Sequence, residues 1–480
     1  MTATFFEGNA RTMLQEFPAD FFHCAVTSPP YFGLRSYDDG QEQWDDGWFG
    51  QLGAEPSPGL YILHLVQIMR EVRRVLRPDS VFWLNIGDSW ASGKGTCFNP
   101  GGGPSSLTGH AHLKSESAYQ LDRHNKSDLV ARGVKPLDME LVPEQLALAA
   151  RADGWYVRSV LVWAKGVSLS DSFNGNPMPE SVNGWRWEKH KVKVAKSARA
   201  MNTSYHNQAY GGTPMGARDG QEFADHSQEW QDCPGCPKCE PNGGYVLRKG
   251  SWRPTDSYER VLMLTKTANY FCDREAVLER SVTGDKRRPY GSVGAWELDG
   301  RPESQRHGGK LRDNGGGGRN LRSVLAIPTA SGKIKHFATF PPRLVEPLIK
   351  AATSEKGCCP VCGSPWARVV DHQRTCDGVP MEPGCWPRDE AGRLGPQGIG
   401  HWRFASMSST IGWLPTCSCD TQHEPVPCWV LDPFCGSGTV SLVCTHLGLD
   451  SVGIDTSAKY IRFAEDRLAE DAKKRDVACP

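Results

Sequence analysis

Residues 429–439, WVLDPFCGSGT, decide the fold. The apolar run at the start of this stretch predicts a buried strand, and the residues from Thr439 onward predict a helix. Glycines between a strand and a helix let the backbone approach a ligand closely and leave the first N–H groups of the helix free to bind it. The next predicted strand ends at Asp455, a carboxylate suited to a ribose diol. The stretch therefore predicts a β-α-β unit with a nucleotide-like ligand at its edge, against the alternative of a tight turn with a capping acid.

A second β-α-β unit is predicted near the other end of the chain. Residues 21–26 form an apolar run, residues 60–76 carry apolar side chains at helical spacing, and residues 81–86 form another apolar run. The pattern also predicts helices over 143–152 and 342–353, strands over 155–163 and 260–265, and a final helix over 457–473. These elements indicate an α/β fold.

The segment TSPPY, residues 27–31, directly follows the first of these strands. An exocyclic amine on a nucleobase is a poor nucleophile because its lone pair is delocalised into the ring. Hydrogen bonds from its N–H groups to the Ser28 hydroxyl and the Pro29 carbonyl would draw the nitrogen toward tetrahedral geometry, and two prolines would hold these acceptors rigidly. Tyr31 offers a flat face on which an extruded base can stack. Taken alone, the segment also fits a proline-rich turn.

Together the two motifs resemble those of the DNA amino-methyltransferases, in the permuted order with S-P-P-Y near the N-terminus and F-x-G-x-G near the C-terminus. The resemblance implies a Rossmann-like class I methyltransferase with a mixed, mostly parallel seven-stranded sheet whose halves come from opposite ends of the chain. It also implies S-adenosylmethionine as methyl donor and direct in-line attack by the amine. A nucleophilic cysteine is then unnecessary, so Cys24 and Cys435 are predicted to be packing residues.

The resemblance also names the site residues. The catalytic residues it implies are Ser28, Pro29, Pro30 and Tyr31. The cofactor-binding residues it implies are Asn9, His336, Phe340, Asp432, Pro433, Phe434, Gly436, Gly438, Thr439 and Asp455. Asn9 stands where the family often has an acid facing the adenine of the cofactor, and His336 and Phe340 belong to a segment that resembles the one on the methionine side.

Serine at position 28 resembles the cytosine-N4 members of the family more than the adenine-N6 members. The predicted function is therefore site-specific DNA methylation at N4 of cytosine, with N6 of adenine as the alternative. Two further alternatives are methylation of RNA or of a protein amide, and an inactive zinc-containing nucleic-acid-binding protein. The enzyme is expected to work alone or with a cognate restriction endonuclease in a restriction-modification system.

Composition and charge limit the partners. The chain has 480 residues, 39% of them hydrophobic and 23% charged, which exceeds the size of a one-core domain. It contains no run of about 18 apolar residues and no N-terminal secretory signal, so we expect no membrane partner and a cytoplasmic location in a bacterial or phage-infected bacterial cell.

The charge is unevenly distributed along the chain. The net charge is zero, yet residues 186–335 carry 26 Lys and Arg against 17 Asp and Glu, and the remainder carries 29 against 38. A basic middle region is typical of a nucleic-acid contact, here double-stranded DNA, although solvated loops give the same count. The predicted DNA-contacting residues are Lys189, Lys191, Lys193, Lys196, Arg287 and Arg288.

The predicted organisation alternates core segments with inserts. The segments are 1–165, the catalytic half; 166–250, a basic, Cys-containing insert for target recognition; 251–280, a return to the core; 281–322, an Arg/Gly-rich insert; 323–356, the cofactor-side core segment; 357–428, a zinc-ribbon-like insert; and 429–480, the S-adenosylmethionine-binding half.

The 17 cysteines indicate structural zinc rather than disulfides in a reducing compartment. One predicted ligand set is Cys359, Cys362, Cys417 and Cys419, with Cys358, Cys376, Cys385 and Cys428 as competing choices. A second set, Cys233, Cys236 and Cys239, has three ligands, and His226 or Cys272 could supply the fourth. Loops of free thiols are the alternative for both sets.

Overall fold

The computed structural model describes residues 2–33, 40–91, 134–135, 138–165, 184–195, 228–250, 252–254, 256–279, 320–329, 340–376, 379–380, 404–419 and 423–478. These fall into two compact units, Met1–Gly175 with Ser257–Pro480, and Asn176–Asp256. Across the described ranges, none of the helices is both long enough and apolar enough for a membrane span.

The strands of the larger unit are β1 (Ala3–Glu7), β2 (Phe22–Thr27), β3 (Glu42–Gln43), β4 (Phe49–Gly50), β5 (Leu76–Ile86), β6 (Tyr156–Ala164), β11 (Tyr258–Thr265), β12 (Val324–Ala326), β13 (Trp366–Cys376), β14 (Val379–Pro380), β15 (Phe404–Pro415), β16 (Trp429–Asp432) and β17 (Asp450–Asp455). The smaller unit contributes β7 (Arg186–Lys189), β8 (Lys191–Ala195), β9 (Gln228–Asp232) and β10 (Tyr245–Arg248).

The helices are α1 (Ala10–Met13), α2 (Pro58–Val75), α3 (Val142–Ala152), α4 (Pro342–Ala352), α5 (Thr439–Leu447) and α6 (Ala458–Ala478), with 3-10 turns at Leu14–Glu16, Glu240–Asn242 and Glu275–Val277. Helix α2 illustrates how the sequence sets a boundary. The Ser57 hydroxyl accepts the Leu60 N–H at 3.2 Å, and Pro58 opens the helix where no intrahelical N–H bond is lost.

The central sheet has the strand order β1-β17-β16-β2-β5-β11-β6-β12. Neighbours from β1 to β5 pair in parallel, and β11 runs antiparallel to both β5 and β6. The predicted mixed, mostly parallel sheet is thus present, with eight strands among the described residues instead of seven. Two of the eight, β1 and β12, have no counterpart among the strands predicted from the sequence, and β12 pairs in parallel with the outer side of β6.

The two ends of the chain interleave in this sheet. The C-terminal strands β16 and β17 lie between the N-terminal strands β1 and β2, and Val430 and Leu431 pair with Cys24 and Ala25. Because the carboxyl ends of neighbouring parallel strands lie at the same edge, the loops after β2 and β16 emerge side by side.

Helices cover both faces of the sheet. Successive residues of a strand point to opposite faces. Phe82 of β5 therefore joins the core cluster that contains residues of α2 and α3, and Val81 joins the cluster that contains residues of α4 and α5. This burial on both sides explains why the central strands read as continuous apolar runs.

The smaller unit consists of two antiparallel strand pairs, β7 with β10 and β8 with β9. Its limits, Asn176–Asp256, lie within ten residues of the insert predicted over 166–250. The segment predicted as a zinc-ribbon-like insert, 357–428, belongs to the larger unit and contains the antiparallel pair β13 and β15.

Candidate active site

The loops after β2 and β16 are joined by a buried hydrogen bond. Thr27 is the last residue of β2, and its hydroxyl donates to Oδ1 of Asp432 at 2.6 Å. The Phe434 N–H donates to the same oxygen at 3.2 Å. Both Thr27 and Asp432 are 1% exposed. Asp432 therefore braces the two loops from inside the protein.

Burial raises the pKa of Asp432 to about 7, although its hydrogen bonds with Thr27 and Phe434 act in the opposite direction. A carboxyl group with this pKa is partly protonated near neutral pH. The acid at the start of the glycine loop is thus a buried structural group whose charge depends on pH.

The glycine loop opens onto free space at its centre. Gly436 and Gly438 have φ angles of 46° and 70°, a left-handed conformation that favours glycine. A Cβ on Gly438 would stand 2.7 Å from Cβ of Ala464, whereas a Cβ on Gly436 would meet no atom within 4 Å. Gly438 is therefore required for packing, and Gly436 leaves room for a ligand against the backbone.

Asp455 lies beside this space. Its Oδ2 accepts the Gly436 N–H at 2.9 Å, and its Oδ1 accepts the Ser457 N–H at 2.9 Å. The guanidinium of Arg467 fixes the far side of the loop by donating to the Ser437 carbonyl and to the Thr439 hydroxyl, both at 3.0 Å. A pre-formed loop, an open glycine and an adjacent carboxylate fit the ribose and amino-acid parts of S-adenosylmethionine.

The other predicted cofactor residues differ in their surroundings. The Asn9 side chain accepts from Arg11 N–H at 2.8 Å and donates to Oε1 of Glu42 at 2.6 Å, so it caps α1 and ties down the segment around Glu42. Phe340 is 9% exposed and packs in the core with α4 residues. Pro433 and Thr439 are buried in the loop, and Phe434 is partly buried. His336 lies outside the described residues.

The TSPPY loop carries a hydrogen-bond chain that starts at Ser28. The Ser28 hydroxyl donates to the Tyr31 hydroxyl at 3.1 Å, and the Tyr31 hydroxyl donates to Oε2 of Glu259 at 2.6 Å. The Asn85 amide donates to the Tyr31 oxygen at 2.8 Å and to Glu259 Oε2 at 2.7 Å. Lys165 forms an ion pair with the other oxygen of Glu259. This cluster, Ser28-Tyr31-Asn85-Glu259-Lys165, is called the tyrosine network below.

The network fixes the direction of each hydrogen bond. Burial, and then the nearby Glu259 carboxylate, hold the pKa of Tyr31 well above its usual value, so its phenol stays protonated and donates. Because the Ser28 hydrogen is engaged with Tyr31, the Ser28 oxygen is left to accept. Acceptance at this oxygen is what the chemistry of an exocyclic amine requires.

Motif reasoning found Ser28 and Tyr31 but assigned no role to Asn85, Lys165 or Glu259. The signal available in the sequence was a polar residue inside an apolar strand, as in VFWLNI over 81–86. Asn85 and Glu259 are 5% and 6% exposed. Buried polar groups of this kind need partners, and the Asn85 amide N–H groups find theirs in Tyr31 and Glu259, whereas Oδ1 of Asn85 has no hydrogen-bond partner among the described residues.

The back of the loop is also held. The Tyr61 hydroxyl donates to the Pro30 carbonyl at 2.8 Å, and the Gly33 N–H donates to the Gly53 carbonyl at 2.8 Å. The Glu55 carboxylate accepts the Gly53 N–H at 2.7 Å. Pro30 and the end of the loop are thus held in place from behind.

Of the predicted DNA-contacting residues, three lie in the described strands of the smaller unit. Lys189 and Lys191 are exposed, and the Lys189 ammonium lies 3.4 Å from Asp232. Lys193 is placed by its backbone, paired with Trp230. Lys196, Arg287 and Arg288 lie outside the described residues.

The cysteines of the larger unit form two groups. Cys359, Cys362, Cys417 and Cys419 come together with their sulfur atoms within 4.8 Å of one another, as predicted for a zinc site.

The competing choices Cys358 and Cys428 lie instead with His23. In that group His23 Nδ1 accepts the Trp429 N–H at 3.1 Å and Nε2 donates to the Gly363 carbonyl at 2.8 Å, so both ring nitrogens are engaged. Cys385 and the side chain of Cys376 lie outside the described residues.

The smaller unit holds the remaining group. Cys233, Cys236 and Cys239 gather with His190, a residue that was not among the fourth ligands offered by the sequence, His226 and Cys272. His226 lies outside the described residues.

Cys24 and Cys435 are buried, and burial raises the pKa of both thiols far above the usual value, so neither supplies a thiolate nucleophile.

Comparison with known proteins identifies the family. A profile described as DNA methylase, for N6 and N4 methyltransferases, matches residues 22–364 and 427–466. The Type II methyltransferase M.XycI of Xanthomonas campestris pv. cyanopsidis is 27% identical over 466 residues, which cover 97% of this chain and 87% of that protein. M.Cfr9I, a Type II methyltransferase of Citrobacter freundii, is 26% identical with the same coverage. The solved structure of PvuII DNA methyltransferase (cytosine-N4-specific) has 11% identity and a TM-score of 0.39, covering 98% of this chain and 91% of its own.

The resemblance drawn from the two motifs is thereby confirmed, as is the class I methyltransferase fold. The profile match covers most of the chain and contains both the TSPPY loop and the glycine loop. The chain therefore belongs to the N6/N4 DNA methylase family of S-adenosylmethionine-dependent DNA amino-methyltransferases.

Proposed function

We propose that this chain transfers a methyl group from S-adenosylmethionine to N4 of a cytosine extruded from double-stranded DNA. One observation carries the proposal: the TSPPY loop and the glycine loop emerge from adjacent parallel strands and are joined by the Thr27–Asp432 hydrogen bond. A ligand on the glycine loop and a base on the TSPPY loop would share one edge of the sheet.

The cofactor, when bound, supplies a methyl group activated by a positively charged sulfonium. The cofactor would lie against the backbone of Gly436, where the space beside Cα is open. Asp455 would accept hydrogen bonds from the cofactor ribose. Thr27, Asp432 and Arg467 hold the loop in shape.

The base would be held by the TSPPY loop. Ser28 and the Pro29 carbonyl accept hydrogen bonds from the exocyclic amine and so localise its lone pair on nitrogen. The ring of Tyr31 stacks on the extruded base, and Gly87 lets the ring lie close to β5, since a Cβ on Gly87 would stand 2.7 Å from Cε2 of Tyr31. Asn85 and Glu259 hold the phenol, and through it the Ser28 hydroxyl, in one orientation.

The serine at position 28 supports cytosine over adenine as the target base. It is a short neutral acceptor, and its hydrogen bond to Tyr31 orients it. Adenine N6 stays as the second candidate because the same acceptor geometry serves either amine. M.XycI and M.Cfr9I are by name Type II methyltransferases and come from bacteria, which supports a role beside a cognate restriction endonuclease in a bacterial cytoplasm.

Two surface features complete the proposal. The group Cys359, Cys362, Cys417 and Cys419 would bind a structural zinc ion and so fold a segment too small for a core of its own. The exposed Lys189 and Lys191, together with Lys193, Lys196, Arg287 and Arg288, would contact DNA phosphates.

A methyl-transfer assay tests the function. The protein and S-adenosylmethionine with a tritiated methyl group are incubated in three separate reactions with duplex DNA, total RNA or a protein extract. Label in each substrate is counted, and any labelled nucleoside is identified by chromatography. We expect label in duplex DNA as N4-methylcytosine. Label in N6-methyladenine would change the assigned target base from cytosine to adenine. Label confined to RNA or protein would contradict the proposal that DNA is the substrate.

A further inference from the structure

In the smaller unit, His190 joins Cys233, Cys236 and Cys239 in a group of possible metal ligands that the spacing of these residues in the sequence does not reveal. His190 lies directly between β7 and β8, and Cys233 directly follows β9. Cys236 and Cys239 occupy the turn before β10. Three separate points of the unit therefore meet at one place, with their ligand atoms within 4.8 Å of one another.

The separations match a tetrahedral zinc site. Cys236 Sγ lies 3.3 Å from Nδ1 of His190 and 3.6 Å from Sγ of Cys239. Zinc bonds of about 2.3 Å to sulfur and about 2.0 Å to nitrogen put neighbouring ligand atoms of a tetrahedron about 3.5–3.8 Å apart. Three thiolates and one imidazole form a known donor set for structural zinc.

The backbone holds these residues in place independently of their side chains. The Cys233 N–H donates to the His190 carbonyl at 2.7 Å, and the His190 N–H donates to the Gly244 carbonyl at 2.9 Å. The Gly244 N–H donates to the Cys239 carbonyl at 2.9 Å, and Cys239 N–H to the Cys236 carbonyl at 3.0 Å. Main-chain hydrogen bonds thus link all three points of the unit around the group.

The unit also needs a source of stability other than a core. Among the residues of this unit whose burial is described, 184–192, 230–250, 252–254 and 256, Cys239 is the one hydrophobic residue that is buried. Its large aromatic side chains are exposed: Trp185, Trp187, Trp230, Tyr245 and Trp252. Small folds without a core are commonly held by disulfides or a metal, and Cys233, Cys236 and Cys239 are free thiols.

We propose that His190, Cys233, Cys236 and Cys239 bind one zinc ion, and that this ion joins the two strand pairs of the smaller unit. Zinc binding would deprotonate the three thiols and use the lone pair on Nδ1 of His190, since this nitrogen faces Cys236. The site is separate from the Cys359 group, so the full chain would carry two zinc ions.

The test measures zinc per chain by elemental analysis in the full-length protein and four variants. His190→Ala and Cys236→Ser should each lose one zinc ion relative to the unchanged protein. His190→Cys should keep it, because a fourth thiolate replaces the imidazole. Cys272→Ser, the cysteine that the spacing offered as an alternative ligand, should also keep it.

A spectroscopic readout separates the donor sets. After loading with Co²⁺, the visible spectrum of His190→Cys should shift toward that of a four-thiolate site, while Cys272→Ser should match the unchanged protein. Binding of S-adenosylmethionine, measured by calorimetry, checks that the larger unit is folded in every variant. An unchanged zinc content in His190→Ala or Cys236→Ser, or an equal loss in Cys272→Ser, would overturn the proposal.

Discussion

Thr27 and Asp432 are 405 positions apart in the chain, and their side chains are joined by a 2.6 Å hydrogen bond. The bond lies in the sheet between β2 and β16, which pair in parallel through Ala25 and Leu431. It joins the end of the strand that carries TSPPY to the start of the glycine loop. The two halves of the family's chemistry are therefore parts of one rigid edge rather than two domains that must close on each other.

The charge of Asp432 should make stability depend on pH. Its pKa is about 7 in the fold and 3.8 as an ordinary side chain, so the folded state binds a proton that the unfolded state has lost. This contribution to stability is complete below about pH 4 and is lost as pH rises through 7. Between pH 5 and pH 8 we expect the free energy of unfolding to fall by about 2–3 kcal/mol from this group.

The measurement is urea unfolding at both pH values. Asp432→Asn keeps the acceptor for the Thr27 hydroxyl and cannot ionise, so its loss of stability between pH 5 and pH 8 should be smaller by that amount. A variant with the same pH dependence as the unchanged protein would show that Asp432 is ionised throughout.

Removal of the Tyr31 hydroxyl should affect turnover more than binding. Tyr31→Phe keeps the ring that stacks on the base but removes the hydroxyl. Ser28, Asn85 and Glu259 would each lose their hydrogen bond with that hydroxyl. A lost buried hydrogen bond costs about 1–2 kcal/mol, so kcat should fall on the order of 10-fold. Calorimetric affinity for S-adenosylmethionine should stay constant.

Tyr245→Phe is the control, because Tyr245 is an exposed tyrosine of the smaller unit. Its kcat should equal that of the unchanged protein. Equal kcat values for Tyr31→Phe and Tyr245→Phe would remove the orienting role of the tyrosine network.

The packing of Gly87 against Tyr31 gives a steric test of the same site. In Gly87→Ala the new Cβ would stand 2.7 Å from Cε2 of Tyr31, so the ring must move. Effects of misplaced catalytic groups reach about 100-fold in rate. We expect a loss of kcat with unchanged affinity for S-adenosylmethionine.

Gly59→Ala in α2 is the matched control. Its Cβ meets nothing within 4 Å, and alanine is the better helix former by roughly 1 kcal/mol. It should therefore retain full activity with a slightly higher melting temperature. Full activity in Gly87→Ala as well would mean that the position of the Tyr31 ring does not matter for transfer.

Binding of DNA through the basic strands should be sensitive to salt. If Lys191 contacts a phosphate, Lys191→Ala should reduce the slope of log K against log salt by about 0.9 and weaken binding equally for all duplex sequences. Fluorescence anisotropy with labelled duplexes measures both quantities. Lys350→Ala, on α4 and paired with Glu346, should leave the slope unchanged. Identical slopes for the two variants would exclude Lys191 from the interface.

The sequence predicted the fold well where hydrophobic periodicity was strong. The helix predicted over 60–76 is α2, and the strands beside both motifs are β2, β16 and β17. Two strands of the sheet, β1 and β12, were not predicted, and β12 has three residues, too few to show a periodic pattern.

The parts of the site that were missed depend on tertiary contacts. No role was predicted for Glu259 or Asn85, which gain theirs by contacting Tyr31 from the neighbouring strands β11 and β5. His190 is separated from Cys233 by 43 positions, so spacing gave no reason to join them. Asp432 was predicted from the motif, but its burial and its hydrogen bond with Thr27 follow from the pairing of opposite chain ends.

The most direct test is sequencing of DNA from cells that express this chain, with a method that detects both N4-methylcytosine and N6-methyladenine. The account predicts N4-methylcytosine at every copy of one short recognition sequence, and its absence in cells that express Ser28→Ala. Genomic DNA without either modified base, or modification that persists unchanged in Ser28→Ala, would contradict it.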